Sequence, residues 1–153
     1  MKTIAAVIAF VMSGALLWTS EPAQKLTAVK ASDVKWEEAK GHPKGVKSAL
    51  IHGDPAKGAF VMLLRIPAGT VYPPHLHSAD EVVFVQSGTW TIGEGEKVDE
   101  SKGKMVDAGG YFSFGAKTPH WGKTNVYTVV LRYANGASDI IYCNPADDPS
   151  KKQ

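Results

Sequence analysis

The chain has 153 residues, 44% of them hydrophobic and 21% charged, with a formal net charge of +2. That length supports one domain with its own core, and a small net charge spread along the chain excludes a nucleic-acid footprint or a polybasic membrane face. Cys143 is the lone cysteine, so no internal disulfide can form, and no motif partner stands near it for thiolate chemistry.

In chain order, Lys2 and the apolar run Ile4–Trp18, followed by Thr19-Ser20-Glu21-Pro22-Ala23, have the layout of an export signal over residues 1–23. A periplasmic or secreted mature protein is therefore expected. The run is shorter than the ~20 residues that span a bilayer, so no stable membrane anchor is expected. Residues 24–45 read as a polar arm. A turn of helix is expected within Ala31–Lys40, capped by Ser32 or Asp33, with Trp36 covering one end of the core. From Val46 onward the signals are those of strands, giving a barrel over residues 46–144 and a tail over 145–153. Lys47–His52 alternates and Ala59–Ile66 is an apolar run of strand length. Glu81–Gln86 is valine-rich and leads into Ser87-Gly88, which reads as a hairpin connection to a returning strand at Thr89–Gly93. Glu94–Lys104 is charged and glycine-bounded, a solvated loop. Tyr111–Phe114, Trp121–Lys123, Val126–Tyr133 and Asp139–Asn144 supply further strands. Pro67-Ala68-Gly69 and Pro73-Pro74 are placed at turns or strand ends, because proline cannot donate to a ladder. Short strands at regular spacing indicate an all-β sandwich or barrel.

The chemistry lies between Gly69 and Gly88. His75 and His77 share a face of an extended strand, and Glu81 keeps the even phase at the start of the next one. Two imidazoles and a carboxylate converging from adjacent strands form a donor set for a divalent transition metal. The spacing resembles the first motif of the cupin superfamily, Gly-x5-His-x-His-x3-Glu-x6-Gly, with every position filled. The second motif, Gly-x5-Pro-x-Gly-x2-His-x3-Asn, is met by Gly109 and His120, while Gly115, Lys117 and Thr124 replace its proline, second glycine and asparagine. The motifs run from Gly69 to Thr124, and flanking strands extend the resemblance to Val46–Asn144.

The resemblance implies an all-β, single-domain double-stranded β-helix, the cupin jelly-roll barrel. It implies one divalent transition metal bound by His75, His77, Glu81 and His120. Nitrogen and oxygen donors suit Zn, Mn, Fe, Ni, Co or Cu without choosing among them. The function it suggests is an exported metal-binding cupin, as a dioxygenase or related oxidoreductase on a small organic substrate. The alternative is a non-catalytic metal- or small-ligand-binding sensor, like the cupin portions of zinc-dependent anti-sigma factors. Strand phase turns Phe112 and Phe114 inward, and with Trp90 they are the candidate substrate lining, with core filling as the bland reading. Arg65 interrupts an apolar run and is assigned to an edge or rim. Tyr72, Tyr111 and Lys117 are candidate proton donors or acceptors. His42 and His52 fit no ligand spacing and are assigned to loops or solvent. Val82 and Phe84 are apolar on the face turned away from the barrel. This suggests a homodimer, as small cupins often form, unless the N-terminal arm covers that face.

Overall fold

The computed structural model of the chain describes residues 26–151, so the expected export signal lies outside the described residues. The strands are β1 (Glu37–Glu38), β2 (Lys47–Gly53), β3 (Phe60–Ile66), β4 (Val71–Leu76), β5 (Glu81–Ser87), β6 (Thr89–Glu94), β7 (Lys104–Asp107), β8 (Tyr111–Phe114), β9 (His120–Lys123), β10 (Thr128–Ala134) and β11 (Ile141–Tyr142). They form two antiparallel sheets, one ordered β1-β2-β3-β10-β5-β8 and the other β11-β4-β9-β6-β7. Among the described residues the only helices are short 3-10 turns. This is the all-β jelly roll expected from the motifs.

Period-two side-chain alternation decides what each strand buries. In β3, Phe60, Met62, Leu64 and Ile66 are buried while the residues between them are half-exposed. In β10 the same parity buries Thr128, Val130, Arg132 and Ala134. Val83 and Val85 of β5 join them, and Tyr72 and Trp90 approach from the second sheet to close the core.

Several local expectations are corrected. Ser87-Gly88 is not a hairpin, because β5 pairs with β10 and β8 whereas β6 pairs with β7 and β9. Gly88 instead turns the chain from one sheet to the other at φ 80. A Cβ there would come 2.6 Å from the Tyr127 carbonyl oxygen, so the corner admits only glycine. Pro73 and Pro74 lie inside β4, not at its end. They are accommodated where the β4–β9 register shifts between Tyr72 and His75, a bulge that needs no ladder donor. The turn of helix expected within Ala31–Lys40 is the 3-10 turn Ala31–Asp33, but Lys30 stands at its N-cap in place of Ser32 or Asp33. Glu37–Glu38 is extended and pairs with Ser48 and Lys47, so sheet pairing overrides local propensity. The charged loop expected over Glu94–Lys104 does connect β6 to β7 and carries a 3-10 turn at Glu100–Lys102, but the strand β7 that follows it and pairs with β6 was not expected.

Both tryptophans of the second sheet lie against glycines of neighbouring strands. A Cβ on Gly122 would sit 2.4 Å from Trp90, and one on Gly93 would sit 2.2 Å from Trp121. Trp121 is fully buried, with Gly103 and the loop before β7 packed over it, while Trp90 faces the barrel interior. The loop read as a solvated excursion therefore has a packing role as well.

Candidate metal centre

His75 is the penultimate residue of β4, His77 follows the strand into the turn, and His120 opens β9 directly opposite His75 in the ladder. All three are buried, and one ring nitrogen from each lies within 4.8 Å of the others. The rings are held from behind. Nδ1 of His75 is 2.7 Å from the Pro73 carbonyl, Nδ1 of His120 is 2.9 Å from that of Thr118, and Nδ1 of His77 bonds the Asp139 carbonyl. A carbonyl only accepts, so each Nδ1 carries the proton and each Nε2 keeps its lone pair. That is the tautomer a metal ligand needs.

Electrostatics agree with the geometry. Burial, then the charges of His120 and His77, pushes the His75 pKa down to about 2. Burial and then Arg132 push His77 down to about 3, and burial also lowers His120. Three imidazoles held neutral with converging lone pairs form a donor set that fits a divalent transition metal.

Glu81 is placed differently from the three histidines. It is buried at the start of β5, but Arg132 Nε donates to Oε2 at 2.7 Å and Arg132 Nη2 donates to Oε1. The carboxylate therefore stands in a bidentate ion pair and is not part of the cluster of nitrogen donors, although its Oε1 is 3.5 Å from His77 Nδ1. Burial raises the Glu81 pKa and Arg132 opposes that rise. Arg132 also donates to Ser138 Oγ at 3.2 Å and has its guanidinium carbon 5.2 Å from the Phe60 ring centroid.

Sequence reasoning missed Arg132. The signal was parity, because Arg132 shares the buried phase of Val130 and Ala134. Arg65 has the opposite parity, between buried Leu64 and Ile66, and its guanidinium lies outside, 3.8 Å over the Trp36 ring. His42 was also missed. Its loop reaches into the barrel, where Nδ1 is 2.8 Å from the Tyr72 hydroxyl. Burial and then Arg132 lower the His42 pKa to about 3, and burial raises that of Tyr72. The pair is thus a phenol donating to a neutral imidazole. His52 is exposed, as expected. Lys117 is exposed and in left-handed conformation at φ 62, and its N–H donates to the His77 carbonyl at 2.7 Å. It keeps the backbone geometry that the cupin motif assigns to glycine.

Trp90, Phe112 and Phe114 all line a cavity of about 50 Å³ together with the three histidines. Phe114 stacks on His120 with centroids 3.7 Å apart and on His77 at 5.7 Å. Outside lies a groove of about 650 Å³ that also reaches His120, with Tyr111, Lys102 and Lys104 among its walls.

Two antiparallel sheets closed around inward-facing histidines define a cupin barrel. The chain belongs to the family of ChrR cupin-like domains, whose model matches residues 24–116. Its fold is similar to an RmlC-like cupin from Shewanella frigidimarina, at 15% identity over 76% of this chain and 96% of that one, TM-score 0.60. It is similar also to a putative acetylacetone dioxygenase from Methylibium petroleiphilum, at 21% identity over 84% and 88% of the two chains, TM-score 0.61. The complex of Rhodobacter sphaeroides SigE with the anti-sigma ChrR contains a further similar chain, at 23% identity over 69% of this chain and 52% of that one, TM-score 0.51. No curated protein sequence matches significantly.

Proposed function

We propose that the chain is an exported metal-binding cupin that binds one divalent transition metal through His75, His77 and His120 and acts on a small organic molecule as a dioxygenase-like oxidoreductase. The observation that carries the metal reading is the shared anchoring of three buried imidazoles by backbone carbonyls, with their free nitrogens turned to one cavity. A metal held there supplies a Lewis acid with open positions for oxygen donors. The side chains around it have separate tasks. Glu81, the fourth ligand implied by the resemblance, is held by Arg132, so the pair adds no net charge and leaves the donor set neutral. Ile92, Phe112, Phe114 and Val130 keep the cavity apolar, and Tyr72 holds a proton at its hydroxyl, shared with His42.

Elemental analysis of the purified protein should find about one equivalent of metal, lost when His75 and His77 are both replaced by alanine. A full equivalent retained in that variant would overturn the assignment. An oxygen-uptake screen over small carbonyl and aromatic compounds tests the catalytic half. Membership of the ChrR cupin-like family favours a second reading, a non-catalytic metal- or ligand-sensing module. Saturable ligand binding without turnover would select it.

Export is supported by Lys2 and the Ile4–Trp18 run. Homodimerisation is supported by the outer face of the six-stranded sheet. There Phe84 lies opposite both Tyr111 and Leu131, and Leu131 lies opposite Leu63. Phe84, Tyr111 and Tyr133 are exposed, while the arm's strand β1 adds to the edge at β2 and leaves them uncovered.

A further inference from the structure

We infer that Phe114 is the specificity gate of this centre, separating an inner chamber for small metal-bound ligands from an outer groove that holds a flat aromatic or conjugated compound. The inference builds on the metal-binding reading above. Its first support is size. The inner chamber of about 50 Å³ has room for only a few water-sized groups, at roughly 15 Å³ each. The groove, at about 650 Å³, falls within the ~300–1,000 Å³ range of organic-ligand pockets.

The second support is position. Ile92, Phe112, Phe114 and His120 line both spaces, so they form the wall between them. Of these, Phe114 lies nearly parallel to His77, at 13°, and stacks closest on His120. It stands on β8, the edge strand of its sheet, and pairs with Glu81 on its inner side only. A wall on an edge strand has no outer neighbour to repack when it is truncated. The third support is chemistry. Phe112 and Phe114, with ring centroids 6.2 Å apart and planes inclined at 29°, both line the groove, and Tyr111 adds a third aromatic to its walls. A flat unsaturated compound can pack against these aromatic side chains and meet the donor set only at His120, the one histidine that lines the groove.

The test has two arms. In the first, wild type and F114A are loaded with cobalt(II), counted by elemental analysis, and titrated with azide and with 4-phenylimidazole while the visible d–d bands are recorded. Azide should bind both proteins within about threefold, whereas 4-phenylimidazole should bind F114A about tenfold or more tightly than wild type. F114L, which keeps most of the volume, should resemble wild type and shows whether loss of fold explains F114A. Equal 4-phenylimidazole affinities in two cobalt-loaded proteins would overturn the gate. If neither protein holds cobalt, the metal reading fails and the second arm decides the gate alone. That arm uses the metal-free proteins and the part of the fluorescence that disappears in W90F, since Trp90 lines the inner chamber. A close-packed wall admits a quencher only where a void is opened, so the acrylamide quenching constant of that component should rise about twofold or more in F114A. No rise, with F114A folded, overturns the gate whatever the metal does.

Discussion

Replacing Arg132 with alanine is the sharpest perturbation of the barrel interior, because it leaves a buried carboxylate with no cation. Arg132 and Glu81 are each 3% exposed, and both carboxylate oxygens accept from the guanidinium. Removing one partner of such a pair costs about 3–5 kcal/mol, most of it the cost of a lone buried charge. At roughly 3 °C per kcal/mol for a chain of this size, the melting temperature should fall by about 9–15 °C. Removing both charges, as in E81L/R132M, should restore stability to near wild type or above it, since the pair's own net contribution is small. The loss should also depend on pH. Burial already raises the Glu81 pKa and Arg132 holds it down, so in R132A it rises further. A carboxyl whose folded pKa lies above the unfolded ~4.3 destabilises the fold as pH rises, so the R132A deficit should shrink between pH 7 and pH 4.5. Urea unfolding of the chelator-treated proteins, followed by tryptophan fluorescence, measures all three quantities. A loss below about 1 kcal/mol in R132A, or a double variant no better than the single one, would refute the reasoning.

Four further outcomes are expected. K117G should stabilise the fold by about 0.5–1 kcal/mol, because left-handed backbone costs lysine ~1–2 kcal/mol and the flexibility of unfolded glycine returns part of it; a destabilised K117G would show that the lysine side chain matters more than its backbone. The metal-free protein should lose stability as pH falls from 6.5 toward 3. His42, His75 and His77 stay neutral when folded but protonate when unfolded, each adding up to ~1.4 kcal/mol per pH unit, and urea midpoints equal at pH 7 and pH 5 would contradict this. Metal at a hundredfold excess over its dissociation constant should raise stability by ~2.7 kcal/mol, an effect that chelator abolishes in wild type and that H75A/H77A never shows in thermal melts. Light scattering at micromolar concentration should give a dimer mass, and F84E/Y133E a monomer mass; a monomeric wild type would end the dimer proposal.

The motif spacing carried the site far because ladder geometry is nearly rigid. Once His75 lies near the end of one strand and His120 begins its neighbour opposite it, their rings must meet, whatever the loops do. The fold class followed from strand lengths and turn residues for the same reason. What escaped was non-local. Nothing in Ser87-Gly88 says whether the next strand pairs back or crosses to another sheet, since both corners need positive φ. The residues packed against Gly88 at the crossing, Tyr127 and Thr128, come from far along the chain and leave no trace in the local sequence. His42 escaped because a loop's reach into a barrel leaves no periodic trace. Arg132 was legible in principle, through its parity within β10, but only after the strand's register against β3 and β5 was known.

Arg132 also changes what the motif glutamate can do. With a carboxylate ligand, a divalent ion would keep one net positive charge. With Glu81 paired to Arg132 and three neutral imidazoles as donors, the ion would keep both, and it would draw anionic or strongly polar ligands into an otherwise apolar chamber. Arg132 touches Glu81, His77 and Ser138 together, so a shift of its guanidinium would alter the charge at the centre and the setting of one histidine at once. The carbonyls of Pro73 and Thr118 hold His75 and His120 apart from that pair, while His77 is held by the Asp139 carbonyl and also lies 3.4 Å from Arg132. The chain thus sets two of the three rings by backbone alone and couples the third to the buried ion pair that sets the charge of the centre.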